Sequence, residues 1–219
     1  GHGVKANMLA TLTATMALNF TREHKEVEKI AEIIMNTLPV CSVRKMSYST
    51  FTVVDIQQDG FTRILEYDNP RSLIFRGKQP LEPEWNCIVL NTEKNAGKEI
   101  LTCSFIARKE DRIILCSDGI VQSGMGYTAY PFGWGRDNVS SHVRDLIARN
   151  PDISARKLAS RVVTLAVQND RHHPQDDTTC AAIYFREPRK LLICSGPPYD
   201  MERDHELAER ARTFDGRKI

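Results

Sequence analysis

The chain has 219 residues, 41% hydrophobic and 26% charged, which supplies one substantial core and excludes an extended disordered chain. Its 30 Lys and Arg against 28 Asp and Glu leave a net charge of +2 with no long basic run, so the electrostatic footprint of a nucleic-acid binder is missing. The opening lacks the basic-then-apolar order of a secretion signal, and no apolar run approaches the roughly 18 residues of a membrane span. The expectation is a soluble, cytoplasmic protein with neither nucleic-acid nor membrane partners.

In chain order, residues 6–20 carry Leu9, Leu12, Thr13, Met16 and Phe20 at intervals of three and four, which predicts an amphipathic helix. Residues 23–38 predict a second, with Val27, Ile30, Ala31, Ile34 and Leu38 on one face and Pro39 closing it. Strands follow at 48–56, 61–67 and 72–75, separated by Asp59-Gly60 and Asn69-Pro70 turns, and at 85–90, 100–106 and 112–115. Residues 94–97 and 108–111 read as hairpin turns, so these strands form an antiparallel meander of at least six. Residues 123–135 gather glycines and aromatics without period, and read either as a packed surface loop or as a lid. A second helical pair covers 136–148 and 153–167, and a last strand runs over 178–186. Helices, a run of strands, helices and a final strand is an α+β order rather than a repeating βαβ one.

Composition shifts once, after residues 187–188. The expectation is a core over residues 1–188 and an appendage over 189–219, the whole cut from a longer chain. The six cysteines, at 41, 87, 103, 116, 180 and 194, form no Cys-x-x-Cys pair and read as reduced thiols in apolar strands. Cys116 reads as core packing too, since a reactive thiol needs a cationic neighbour.

Two short stretches carry chemistry. In RIILCSDG, residues 112–119, an apolar strand breaks abruptly at Asp118; in QDDTT, residues 175–179, Asp176 and Asp177 precede a strand-like run. Taken singly, Asp-Gly and Asp-Asp-Thr are ordinary turn sequences. Taken together, they set carboxylates at the ends of two strands, and if those strands lie close the charges require a cation, for which an all-oxygen site suits Mg²⁺ or Mn²⁺. Asp118 and Asp176 are the candidate catalytic metal ligands, with Asp177 the neighbouring alternative. His172 and His173 read as a solvated surface pair, and His2 as part of a glycine turn or a proton donor to a leaving group. Arg44, Arg71 and Arg136 are candidates for gripping phosphate, with exposure the default for each.

The chain resembles the metal-dependent serine/threonine protein phosphatases (PPM), in the bacterial branch typified by the sporulation stage II protein E phosphatase. The anchors are Gly1-His2-Gly3 before a helix, STFTVVDI at 49–56, Tyr67-Asp68-Asn69-Pro70 with Leu73-Ile74-Phe75, Ser117-Asp118-Gly119-Ile120, and Asp176-Asp177-Thr178-Thr179. The resemblance covers about residues 1–186. It implies a two-sheet antiparallel β-sandwich flanked by helical pairs, and a dinuclear Mn²⁺ or Mg²⁺ site. It also implies hydrolysis of phosphoserine or phosphothreonine on a bacterial regulatory protein, such as an anti-sigma-factor antagonist. In the family's opening motif, an Asp bridging the ions and a Gly lending its carbonyl stand before the Gly matched by Gly1, so the expectation is that this chain alone cannot complete two metal sites. The rival reading is a non-catalytic, phosphatase-like module that holds a partner.

Overall fold

The computed structural model describes residues 4–23, 25–38, 49–90 and 98–186. The first two elements are helices, α1 (Val4–Arg22) and α2 (Val27–Thr37). Five strands of the central run follow: β1 (Phe51–Ile56), β2 (Phe61–Tyr67), β3 (Leu73–Arg76), β4 (Gln79–Pro80) and β5 (Trp85–Leu90). β6 (Lys98–Ile106) and β7 (Asp111–Cys116) lead to a single helical turn, α3 (Asp118–Val121). α4 (Arg136–Arg149), α5 (Ala155–Asn169) and β8 (Cys180–Tyr184) complete the described elements.

The strands form two antiparallel sheets, ordered β1-β2-β6-β5 and β4-β3-β7-β8, in place of one meander. Asp59-Gly60 does make the β1–β2 hairpin. Gly60 sits at φ +89°, and a Cβ there would lie 2.7 Å from the Ala107 carbonyl, so the turn needs glycine on both counts. The turn expected as a hairpin at residues 108–111 instead belongs to the segment between β6 and β7 that carries the chain from one sheet to the other. The cause is Asp111: its fully buried carboxylate accepts from the Arg108 amide at 2.8 Å and from Arg76 Nε and Nη2 at 3.1 and 3.0 Å. That pair holds β7 against β3, not against β6.

Burial follows from the layering. Ile64, Ile74, Cys103 and Ile113 fill the space between the sheets. On the outer face of the first sheet, Val27, Ile30, Ile34 and Met35 of α2 pack on Leu65, Tyr67 and Ile100. On the outer face of the second, Leu73, Phe75 and Ile114 meet Val139, Val143 and Ile147 of α4 and Leu158, Val162 and Ala166 of α5. Adjacent strand residues such as Ile113 and Ile114 therefore serve different cores, which is why these strands read as continuous apolar runs. α1 closes on the first core with Leu9, Met16, Ala17 and Phe20, while Leu12, expected on that face, is 44% exposed. The turn expected at 94–97 and the tail after 186 lie outside the described residues.

Candidate metal centre

β7 and β8 pair antiparallel with Cys116 opposite Cys180, so the residues beyond the two strand ends meet. The ladder runs one step further: the Ser117 amide donates to the Thr179 carbonyl at 2.9 Å. Ser117 Oγ then donates to the Asp177 carbonyl at 2.8 Å and accepts from the Thr179 amide at 2.9 Å. One serine side chain thus staples the Asp118 turn to the Asp176-Asp177 turn. α3 lies so close that a Cβ on Gly119 would stand 2.6 Å from the Asp177 carbonyl oxygen, a distance no side chain tolerates. The glycine after Asp118 is a packing requirement of the site.

Within that junction Asp118 and Asp176 each turn an oxygen onto the next residue's amide. Asp118 Oδ1 accepts from Gly119 at 3.0 Å, and Asp176 Oδ1 from Asp177 at 2.8 Å. Thr178 Oγ1 donates to the Asp176 carbonyl at 3.1 Å. Asp118 and Asp177 are exposed and Asp176 is half-buried, so a hydrated ion and a substrate phosphate can reach them. The donors here are carboxylate and carbonyl oxygens, a set that fits Mg²⁺ or Mn²⁺. Among the described residues no three His, Cys, Asp or Glu side chains gather into a set that could hold an ion, so Asp118, Asp176 and Asp177 do not by themselves form a closed cage.

The neighbouring loop is tied to the end of α5 and to the α4–α5 core. Asp170, at the end of α5, is buried and its Oδ1 accepts from the Gly124 amide at 2.7 Å. Arg171 stacks its guanidinium 4.1 Å from the Tyr127 ring centroid, and Trp134 is buried in the α4–α5 core. Of the two readings of residues 123–135, the anchored surface loop describes its two ends, while Met125 at 49% and Phe132 at 90% are exposed between them.

His172 and His173 are exposed. Arg136 is already engaged: Nη2 donates to the Ser72 carbonyl at 3.3 Å and to Glu82 Oε1 at 3.1 Å. Arg71 stands over the Trp85 ring at 5.9 Å. Both arginines brace the entry to β3, and His2 and Arg44 lie outside the described residues. Sequence reading missed Glu66, which is buried and accepts from the Ser72 amide at 2.7 Å and from Ser72 Oγ. Burial pushes its pKa above the usual carboxyl range, against the pull of those hydrogen bonds. It also missed the thiol pair: Cys116 and Cys180 stand opposite each other on β7 and β8, and their interaction together with burial pushes the Cys116 thiol up, while the same interaction, against burial, holds Cys180 down.

The stage II sporulation protein E (SpoIIE) family model matches residues 1–186. No curated protein matches the chain. Among solved structures, the phosphatase domain of the cell fate determinant SpoIIE from Bacillus subtilis, in a crystal form without domain swapping, is similar at TM-score 0.59 and 16% identity. That likeness covers 86% of this chain and 78% of that one. A structure of the PP2C phosphatase domain with a fragment of the regulatory domain, from the same organism, gives 0.60 at 16% identity over 85% and 52%. The Mn-presoaked phosphatase domain gives 0.52 at 14% over 86% and 78%. At those identities the likeness speaks for the two-sheet sandwich with its helical layers, and the family model, spanning every element described above, carries the assignment: the chain belongs to the SpoIIE family, with the fold of a PP2C-type phosphatase domain.

Proposed function

We propose that this chain hydrolyses phosphoserine or phosphothreonine on a protein substrate, with Mn²⁺ or Mg²⁺ held by Asp118 and Asp176. The observation that carries this is the stapled junction, in which Ser117 and Gly119 bind the Asp118 turn directly to the backbone of Asp177. Two acidic turns are kept together there, at an open surface. A bound divalent ion supplies a water acidified toward hydroxide and positive charge for the phosphoryl oxygens. The chain's own part is positional. Asp118 and Asp176 would hold the cation, and Ser117 and Thr178 fix the two turns on which these aspartates stand. Asp177 contributes its backbone carbonyl to the staple and orients its neighbour. The substrate is a phosphorylated regulatory protein by family likeness, and the described chain adds oxygen ligands only from these turns.

Asp118→Asn, made in the intact protein, tests the reading. It preserves shape, removes a ligand charge, and should leave the fold intact while abolishing hydrolysis of a phosphoserine protein at saturating Mn²⁺. Calorimetric titration should show weaker Mn²⁺ binding in parallel. Hydrolysis near wild type would refute the assignment of Asp118. A folded wild-type protein, tested intact, that neither binds Mn²⁺ nor hydrolyses phosphoserine would instead be a phosphatase-like interaction module.

A further inference from the structure

We infer that Cys116 and Cys180 form a reversible, peroxide-driven disulfide that ties β7 to β8 at the base of the two aspartate turns. The inference stands on strand register and access, and goes beyond the hydrolytic reading without depending on it.

The register decides the geometry. In an antiparallel pair, opposed residues alternate between those that exchange amide hydrogen bonds and those that do not, and the latter bring their Cα atoms to about 4.5 Å. Ser117 bonds Thr179, and at the other end the Phe185 amide bonds the Asp111 carbonyl at 3.0 Å. Cys116 and Cys180, one step in from Ser117 and Thr179, therefore occupy a non-bonded site, the closer of the two kinds. A disulfide accepts Cα separations from about 4.4 to 6.8 Å, so this site can be bridged without moving the backbone. Both thiols point to the α5 side, where they pack on the α4–α5 core.

Access is unequal. β8 is the edge strand of its sheet, and between it and α5 runs an open groove of about 540 Å³, lined by Ala155, Ala159, Ser160, Val163 and Cys180. Small side chains keep this groove wide enough for a small oxidant. Cys180 faces it and Cys116 lies one strand further in. A hydroperoxide entering the groove is attacked by Cys180 sulfur; the O–O bond breaks, an alcohol or water leaves, and Cys180 becomes a sulfenic acid. Cys116 sulfur then displaces the sulfenic oxygen as water, forming the S–S bond. The two thiols lose two electrons and two protons in all, and the peroxide is reduced by the same two electrons. A thiol reductant reverses the step.

The test uses the folded full chain with hydrogen peroxide as probe, followed by alkylation, digestion and mass spectrometry. The expected result is one peptide pair linked through Cys116 and Cys180, lighter by two hydrogens and separated by dithiothreitol. The oxidised protein should also unfold at a higher temperature, because the bridge closes a loop of roughly sixty residues in the unfolded chain. Cys116→Ser should remove both signals and leave a Cys180 sulfenic acid that dimedone traps. Over-oxidation of Cys180 in the wild type with Cys116 still alkylated, or linkage of either residue to another cysteine, would overturn the inference. None of these readouts involves phosphate hydrolysis, so their failure and the failure of the proposed activity are distinguishable.

Discussion

Ser117 and Gly119 hold the candidate site through contacts that neither residue's identity announces. A serine before Asp-Gly reads as a turn, and only the paired strands reveal that its hydroxyl bridges to Asp177 and Thr179. Gly119→Ala would push a methyl group into the Asp177 carbonyl. The expected outcome is a folded protein destabilised by about 1–3 kcal/mol in urea denaturation, with hydrolysis lost because the aspartate turns are forced apart. Wild-type activity in a folded Gly119→Ala protein would show that the spacing of the turns does not matter. Glu66 offers a residue-level test of another kind. Its native pKa is raised by burial, so between the ordinary value of about 4.3 and that raised value the native state keeps a proton the unfolded chain has released. By linkage, stability falls as pH rises through this window and levels off above it. Glu66→Gln should flatten that segment of the stability profile, measured by denaturation from pH 4 upward; an unchanged slope would mean that another group sets it.

At the level of elements, β2 and β5 match their expected bounds, and α2, α4 and α5 sit where their apolar periods placed them, because burial on one helical face writes itself into the sequence. β4 escaped, being two exposed residues, Gln79 and Pro80, with no apolar pattern to read. Partner choice escaped as well. β6 and β7 are consecutive and both buried on two faces, so nothing local says that they belong to different sheets. That information lies in the Arg76–Asp111 pair, whose members stand 35 positions apart. Asp111→Ala should cost about 1–3 kcal/mol, less than a fully buried pair because Arg76 is partly exposed. Hydrogen exchange should locate the loss at β3 and β7. Uniform loss of protection across both sheets would contradict a local role. The candidate site was legible to the same extent: two acidic turns beside strands could be seen, but not the Arg136 guanidinium already committed to Ser72 and Glu82.

Across the described residues, two sheets share one inner core while each helical pair seals an outer one, so β3, β7 and β8 of the second sheet depend on layers contributed from distant parts of the chain. The pairing of β7 with β8 has a consequence for synthesis. Between these strands lie α3, the anchored loop, α4 and α5, and the strands can meet only after that intervening segment has folded back. Closing so long a loop costs entropy before any contact repays it, which makes such pairings late events in folding. On a ribosome, Asp118 emerges well before Asp176, and the nascent polypeptide has no junction until β8 has left the exit tunnel. The acidic centre is therefore assembled only after the last described strand has emerged, and a chain stalled between β7 and residue 180 carries the earlier strands without the place where the chemistry would occur.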